Sequence, residues 1–285
     1  MFWPARGSAR WKALGCAAVL AAMVGACGEA APTPIYVVRT PELPPTPIII
    51  YTTLPSTPSP KVKLTPAPAV PPKIASQDVS DSGKDKCGGW TVKYKRPVVS
   101  GVAAAATMQG RIDARFAALV GDFKSNIPTA GAAAPCTFTG KFTATLVSAS
   151  LLSIRIDVVE SLGGASSKGV AASLNMKVSS GDAIALTGVF SDMPGALDIL
   201  SAQSRSLLPA VPAMAGVGAD WINPGTTPML NNFDTAWAMS GAGLIVTFQE
   251  LQVGPAACGT PSITVKWSVL HSVVDAAGPA AKLVH

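Results

Sequence analysis

Beyond residue 87 the hydrophobic and polar positions fall into runs of two distinct periods. Trp90, Val92 and Tyr94 alternate with Thr91, Lys93 and Lys95, as in a strand with one face in a core. Pro97 ends that strand or confines it to a sheet edge, because proline has no N–H to give a ladder. From Val102 to Ser125 the spacing becomes helical. Met108, Ile112, Phe116, Leu119, Val120 and Phe123 form the apolar stripe, with Arg111, Asp113, Arg115 and Asp122 away from it. Asn126, Ile127 and Pro128 stop the helix.

Three alternating runs follow. Phe138, Phe142, Ala144 and Leu146 oppose Thr139, Lys141, Thr143 and Thr145. Leu152, Ile154, Ile156 and Val158 oppose Ser153, Arg155 and Asp157. Val170, Ala172, Leu174 and Met176 oppose Ser173, Asn175 and Lys177. Such runs predict antiparallel strands with one wet face. A turn over Ser179–Asp182 leads to a short strand at Ile184–Leu186. Asp192 is an N-cap, with Pro194 in the first turn of a helix reaching about Leu208. After a Pro/Gly/Ala loop to about Pro228, Phe233–Met239 and Leu244–Phe248 form a hairpin. A strand at Ile263–Val265 and a helix at Ser268–Asp275 close the chain. The class is α+β: one domain with a mainly antiparallel β-sheet and helices packed on one face.

The N-terminus changes the setting of this domain. Arg6, Arg10 and Lys12 precede an apolar run from Ala13 to Ala26. That run, roughly 14 residues, is shorter than the ~20 a membrane span needs and suits a signal-peptide core. It ends in Val24-Gly25-Ala26-Cys27, a lipobox pattern, so residues 1–26 read as a lipoprotein signal peptide and Cys27 as the lipidated residue. The expectation is a membrane anchor through lipid and an outer-surface, extracytoplasmic location. Three of the 22 basic residues lie in the leader, leaving 19 against 16 acidic ones. So small a surplus gives no argument for nucleic acid.

Residues 27–86 read as a tether. Proline is frequent to about Pro72, with Thr and Ser between, which favours polyproline II at ~3.1 Å per residue. The polar stretch from Lys73 to Lys86 reads as more of the same linker, placing the domain at 87–285.

Candidate chemistry is sparse. The chain has two histidines, His271 and the last residue His285, and neither reads as catalytic. There is no zinc-protease spacing, no serine elbow and no phosphate-binding loop. Asp157 and Glu160 are close in sequence but read as a solvated strand end. No catalytic residue, cofactor or metal ligand is assigned. Outside the leader and Cys27, the cysteines are Cys87, Cys136 and Cys258, which permit one disulfide in three pairings.

Three local signatures resemble a bacterial family whose best-known member is the extracellular sensor domain of RsiV-type anti-sigma factors. Related domains occur in a secreted mycobacterial immunogenic protein and beside some polysaccharide deacetylase domains. Leu151-Leu152-Ser153-Ile154-Arg155-Ile156-Asp157 followed by Gly163-Gly164-Ala165 is similar to that family's strand and Gly-Gly-Ala-His-Gly loop. Ser173–Met176, Ile184–Thr187 and Val189-Phe190 resemble its strand, turn and helix lead-in. Phe233, Gly243–Phe248, Val253–Ala257, Gly259 and Ile263–Val265 resemble its closing hairpin, Pro-Tyr-Ala loop and last strand. The likeness covers roughly residues 90–275. The chain departs from it at Ser166, where the family has histidine, and at Leu251-Gln252, where it has Tyr-Glu. It departs again at Ala256, where the family has tyrosine.

The resemblance implies that the Cys258 loop lies near Gly163-Gly164, at the end of the sheet where Cys136 begins its strand. From this a Cys136–Cys258 disulfide is expected, with Cys87 free. It also implies a binding rim at Gly163, Gly164, Ser166, Ser167, Gln252, Pro255 and Ala256. The expected partner is cell-wall glycan or an envelope protein such as a lysozyme-like enzyme. The alternative is an envelope enzyme, or an accessory domain acting on peptidoglycan or polysaccharide.

Overall fold

A computed structural model describes residues 70–129 and 134–284, within one compact unit, Leu64–His285. The leader, Cys27, the tether up to residue 69 and His285 lie outside the described residues. The fold is α+β, with eight strands in two sheets and four helices among the described residues.

The larger sheet has β1 (Lys73–Gly83), β2 (Trp90–Ser100), β3 (Cys136–Val147), β4 (Leu151–Ser161) and β5 (Ser167–Lys177), in sequence order. All pairs are antiparallel except β2 and β3, which run parallel from Trp90 opposite Cys136 to Tyr94 opposite Gly140. The helix α1 (Ala105–Asn126) makes this crossover and covers one face. Met108, Ile112, Phe116, Leu119 and Phe123 of the predicted stripe are buried, and Val120 is half-buried at its margin. They pack on Val92, Phe138, Ile154, Ile156 and Val158, and the Tyr94 ring stacks on Phe116 at 4.8 Å between centroids.

The stretch taken as linker from Lys73 is instead β1, paired with β2 along its whole length. Its side chains are mostly exposed, so no alternation marks it. Backbone ladder bonds hold it, helped by Lys124 of α1, whose ammonium meets Asp81 at 2.6 Å and lies 4.3 Å from the Trp90 ring centre. Pro97 sits inside β2 rather than ending it. The parallel partner stops at Tyr94, and beyond it Gln109 of α1 caps the free edge. Its carboxamide accepts from the Val99 N–H (3.0 Å) and donates to the Pro97 carbonyl (3.2 Å). The N–H that proline lacks falls on this side, where β1 does not need it.

The second sheet has β6 (Trp237–Met239), β7 (Gly243–Thr247) and β8 (Ser262–Lys266). With α2 (Met193–Leu207) and α4 (Trp267–Leu270) it encloses a separate core around Leu200, Leu244, Val246, Val265 and Leu270. Asp192 caps α2, accepting from the Gly195 N–H at 3.0 Å. The loop expected over 208–228 contains a short helix, α3 (Ala219–Gly225). The expected strand at Ile184–Leu186 reduces to a single bridge, Met176 to Ala183, before a 3-10 turn. The final helix stops at Leu270, not Asp275.

The polar face of β3–β5, expected to be wet, is the seat of this second sheet. Ser153 and Asn175 are 0% and 4% exposed. The backbone edge of β6 that no strand pairs finds its hydrogen bonds there, on side chains. The Trp237 N–H donates to Ser173 Oγ (3.1 Å) and its carbonyl accepts from Asn175 Nδ2 (2.9 Å). The Met239 N–H donates to Ser153 Oγ (2.8 Å) and its carbonyl accepts from Thr145 Oγ1 (2.8 Å). A bulge between Ala144 and Leu146 sets Leu146 opposite Ser153, so Leu146 leaves the face of Phe138 and Phe142 and packs on the second core.

The disulfide is Cys87–Cys136, not Cys136–Cys258. Cys136 shares the α1 face of β3 with Phe138, whereas Cys258 is buried in the other core, on the far side of the sheet. Cys87 reaches Cys136 because the β1–β2 connection turns there with positive φ at Cys87, Gly88 and Gly89, beside the start of the parallel pair.

Candidate functional site

The second sheet covers only part of the polar face. Toward β1 that face stays open and forms a shallow groove of about 460 Å³ lined by Asp78, Ser80, Lys93, Lys95, Thr139 and Lys141. Lys141 also lines the next cleft, of about 410 Å³, which runs to the wall made by Glu250, Ala256, Ala257, Gly259 and Thr260. The strand period explains the lysines: Lys93, Lys95 and Lys141 hold alternate positions facing away from α1. Lys95 is paired with Asp78 at 3.0 Å, and Arg155 with Asp157 at 3.1 Å. Lys93 and Lys141 have no carboxylate within ion-pair distance among the described residues. The groove therefore offers two unpaired ammonium groups, and the adjoining cleft a fixed guanidinium, which also donates to Ser262 Oγ at 3.3 Å.

The two predicted rim loops do meet here, but through only some of the named residues. Ser167 and Ala256 line the cleft. Gly164 and Ser166 are exposed at the β4–β5 connection, and Gly163 is buried, its carbonyl accepting from the Ala134 N–H at 3.2 Å. Pro255 is exposed at the start of a 3-10 turn. Gln252 faces inward. It accepts from the Gln249 N–H (2.9 Å) and donates to the Gly225 and Asn232 carbonyls (3.1 and 3.0 Å), fastening the loop instead of presenting a recognition group.

Gln249 and Glu250, which the sequence reading did not single out, set the cleft wall against β5. Gln249 accepts from the Ala171 N–H (3.1 Å) and donates to the Ala171 carbonyl (2.8 Å), as a neighbouring strand would. Glu250 accepts from the Gly169 N–H.

The carboxylates Asp157, Glu160 and Asp192 do not converge. Asp157 lines the cleft beside Lys141, but Glu160, three residues on, falls on the α1 face in a separate cleft with Asp122, Asn126 and Lys168. Burial raises the Glu160 carboxyl above its ordinary range; Lys168 pulls it down and Asp122 pushes it up. Asp192 is occupied as the α2 cap. His271 is exposed, its Nδ1 2.9 Å from the Ser268 carbonyl. Among the described residues no group of three or more His, Cys, Asp or Glu is placed to hold a metal, and no helix is long and apolar enough to cross a membrane.

These features define a two-sheet α+β domain with an open, lysine-lined groove beside a side-chain-capped sheet edge. Two solved structures share the fold. One is a DUF3298 family member from Bacteroides fragilis, with TM-score 0.52 and 14% identity over 75% of this chain and 97% of that one. The other is a DUF3298 family protein from Pseudomonas aeruginosa, with TM-score 0.50 and 10% identity over 71% and 95%. At such identities the likeness is one of fold. The sequence matches no family model and no curated protein.

Proposed function

We propose that this protein is an extracytoplasmic lipoprotein, anchored by lipid on Cys27, whose domain binds a cell-envelope ligand in the groove over β2–β4. The observation that carries the reading is the convergence of Ser167–Gly169 and Ala256–Thr260 beside unpaired Lys93 and Lys141 on an otherwise uncovered sheet face. Exposed ammonium groups on a rigid sheet suit an acidic glycan or an acidic protein surface. The signal-peptide pattern, the lipobox and the disulfide agree with an oxidising, exported setting. The RsiV-type resemblance adds a sensing role as the physiological context. The reading as an envelope enzyme draws no support from any pair of carboxylates.

Calorimetric titration with soluble peptidoglycan fragments and, separately, with lysozyme tests this. Saturable binding that weakens in Lys93→Ala and Lys141→Ala and declines with salt supports the groove. Absence of heat with both, from a folded sample, refutes an envelope ligand of these two kinds.

A further inference from the structure

A further pocket, of about 310 Å³, lies at the outer edge of β5, between α1 and the segments 183–187 and 230–237. That volume is at the lower end for small-ligand sites, roughly 300–1,000 Å³. Leu174, Ile184, Leu186, Leu230 and Trp237 supply apolar lining. Arg115 of α1 reaches into it. Its guanidinium makes no ion pair among the described residues, and its buried Nε has no hydrogen-bond partner. Asp234 lines the same pocket without pairing to Arg115.

The sheet edge points to what the pocket takes. In β5 the odd-numbered residues direct their N–H and C=O away from β4. The Gly169 N–H is met by Glu250, both groups of Ala171 by Gln249, the Asn175 carbonyl by the Ile184 N–H (2.7 Å), and both groups of Lys177 by the Asp182 carbonyl (2.9 Å) and the Gly181 N–H (2.8 Å). Ser173 is the gap. Neither its N–H nor its C=O has a partner among the described residues, and Ser173 lines the pocket. An outward donor and acceptor on one residue is the docking unit for an added strand. An unpaired arginine beside them matches a carboxylate, which it can hold with two parallel hydrogen bonds.

We propose that this pocket binds the carboxy-terminal end of a short apolar peptide. The terminal carboxylate sits on Arg115, one peptide residue ladders with the Ser173 backbone, and its side chain lies on Ile184, Leu186 and Trp237. A free amino group at the other end of a dipeptide falls toward Asp234. The site is distinct from the groove over β2–β4 and stands whether or not that groove binds an envelope ligand.

The test is an amide-resolved NMR titration of the full chain with alanyl-leucine, its C-terminal amide, its N-methylated analogue and acetate. Saturable shifts centred on the Ser173 amide and the Trp237 indole are expected. The amide and the N-methyl analogue should bind at least roughly tenfold more weakly, as should the free peptide to Arg115→Met, with Arg115→Lys keeping part of the affinity. Equal binding of acid and amide overturns the arginine assignment, and equal binding of acetate overturns the ladder. No saturable shift with the free peptide overturns the site. The ligand comparison on the unsubstituted protein decides the matter even if Arg115→Met fails to fold.

Discussion

Ser153 and Asn175, opposite each other on β4 and β5, are joined by a 2.5 Å hydrogen bond and together hold the backbone of β6. Neither is an obvious core residue, and both are sealed from solvent. They make the polar face of the larger sheet into a dry interface. The side chains stand in for a missing strand, so the second sheet docks with its backbone satisfied.

Asn175→Ala leaves the Trp237 carbonyl without a donor and the Ser153 hydroxyl without its acceptor. At roughly 1–3 kcal/mol for each buried group left unsatisfied, the loss should be about 2–4 kcal/mol. Asn175→Asp should not rescue it, because a carboxylate accepts from Ser153 but cannot donate to Trp237. Urea unfolding reads both as a lower midpoint. A shift below about 0.5 kcal/mol would mean that water reaches this face and the docking account is wrong.

The disulfide closes a loop of 49 residues between β1 and β3. Chain-entropy arguments put its stabilisation at about 4 kcal/mol. Cys87→Ser or Cys136→Ser should cost most of that and abolish the mobility difference between reduced and non-reduced gels. Cys258→Ala should keep the difference. Peptide mapping that finds Cys258 in a bond would contradict the arrangement of the two cores.

Much of this fold was legible because burial wrote a period into the chain. Of the six apolar residues in the α1 stripe, Met108, Ile112, Phe116, Leu119 and Phe123 are in the core, and Val120 packs at its margin. What escaped has no period. β1 is held by its backbone and by Lys124, so its side chains are free to be polar, and reading it as linker also hid the Cys87 pairing. A bulge moves Leu146 across the sheet without altering the apparent alternation. The serines and asparagine of β4 and β5 look like any solvated face until a second sheet sits on them. Of the named rim residues, Ser167 and Ala256 reach the cleft beside the groove. Lys93 and Lys141 were placed on the polar face by the strand pattern, but nothing in one sequence says which part of that face stays open.

Glycine positions should divide by what lies around them. A Cβ on Gly243 would sit 2.1 Å from the Val265 carbonyl oxygen, and one on Gly225 would sit 1.9 Å from that of Gln252. Both obstacles are backbone, so Gly243→Ala and Gly225→Ala should destabilise by at least about 1–3 kcal/mol through overpacking. Gly110 and Gly121, on the exposed side of α1, have nothing within 4 Å. There alanine lowers the entropy of the unfolded chain and favours the helix, stabilising by about 0.5–1 kcal/mol each. Thermal unfolding of the four variants checks the signs. Destabilisation by Gly121→Ala would mean that this face of α1 is covered.

Glu160 gives the fold a pH dependence of definite sign. It is 7% exposed, and burial raises its carboxyl above the ordinary value of 4.5. A raised carboxyl pKa means that the folded state holds the proton more tightly than the unfolded chain does. Its contribution is favourable below the unfolded value and is lost as pH rises through the folded one. At neutral pH the ionised group is therefore a burden on the fold, relieved only in part by Lys168. Glu160→Gln keeps the shape and removes the charge. The variant should be more stable than the unsubstituted protein at pH 7, with the difference vanishing below about pH 4. Urea midpoints at pH 7 and pH 4 measure this. A variant less stable at pH 7 would show that the ionised Glu160 has a favourable partner, and that burial is not the cause that governs it.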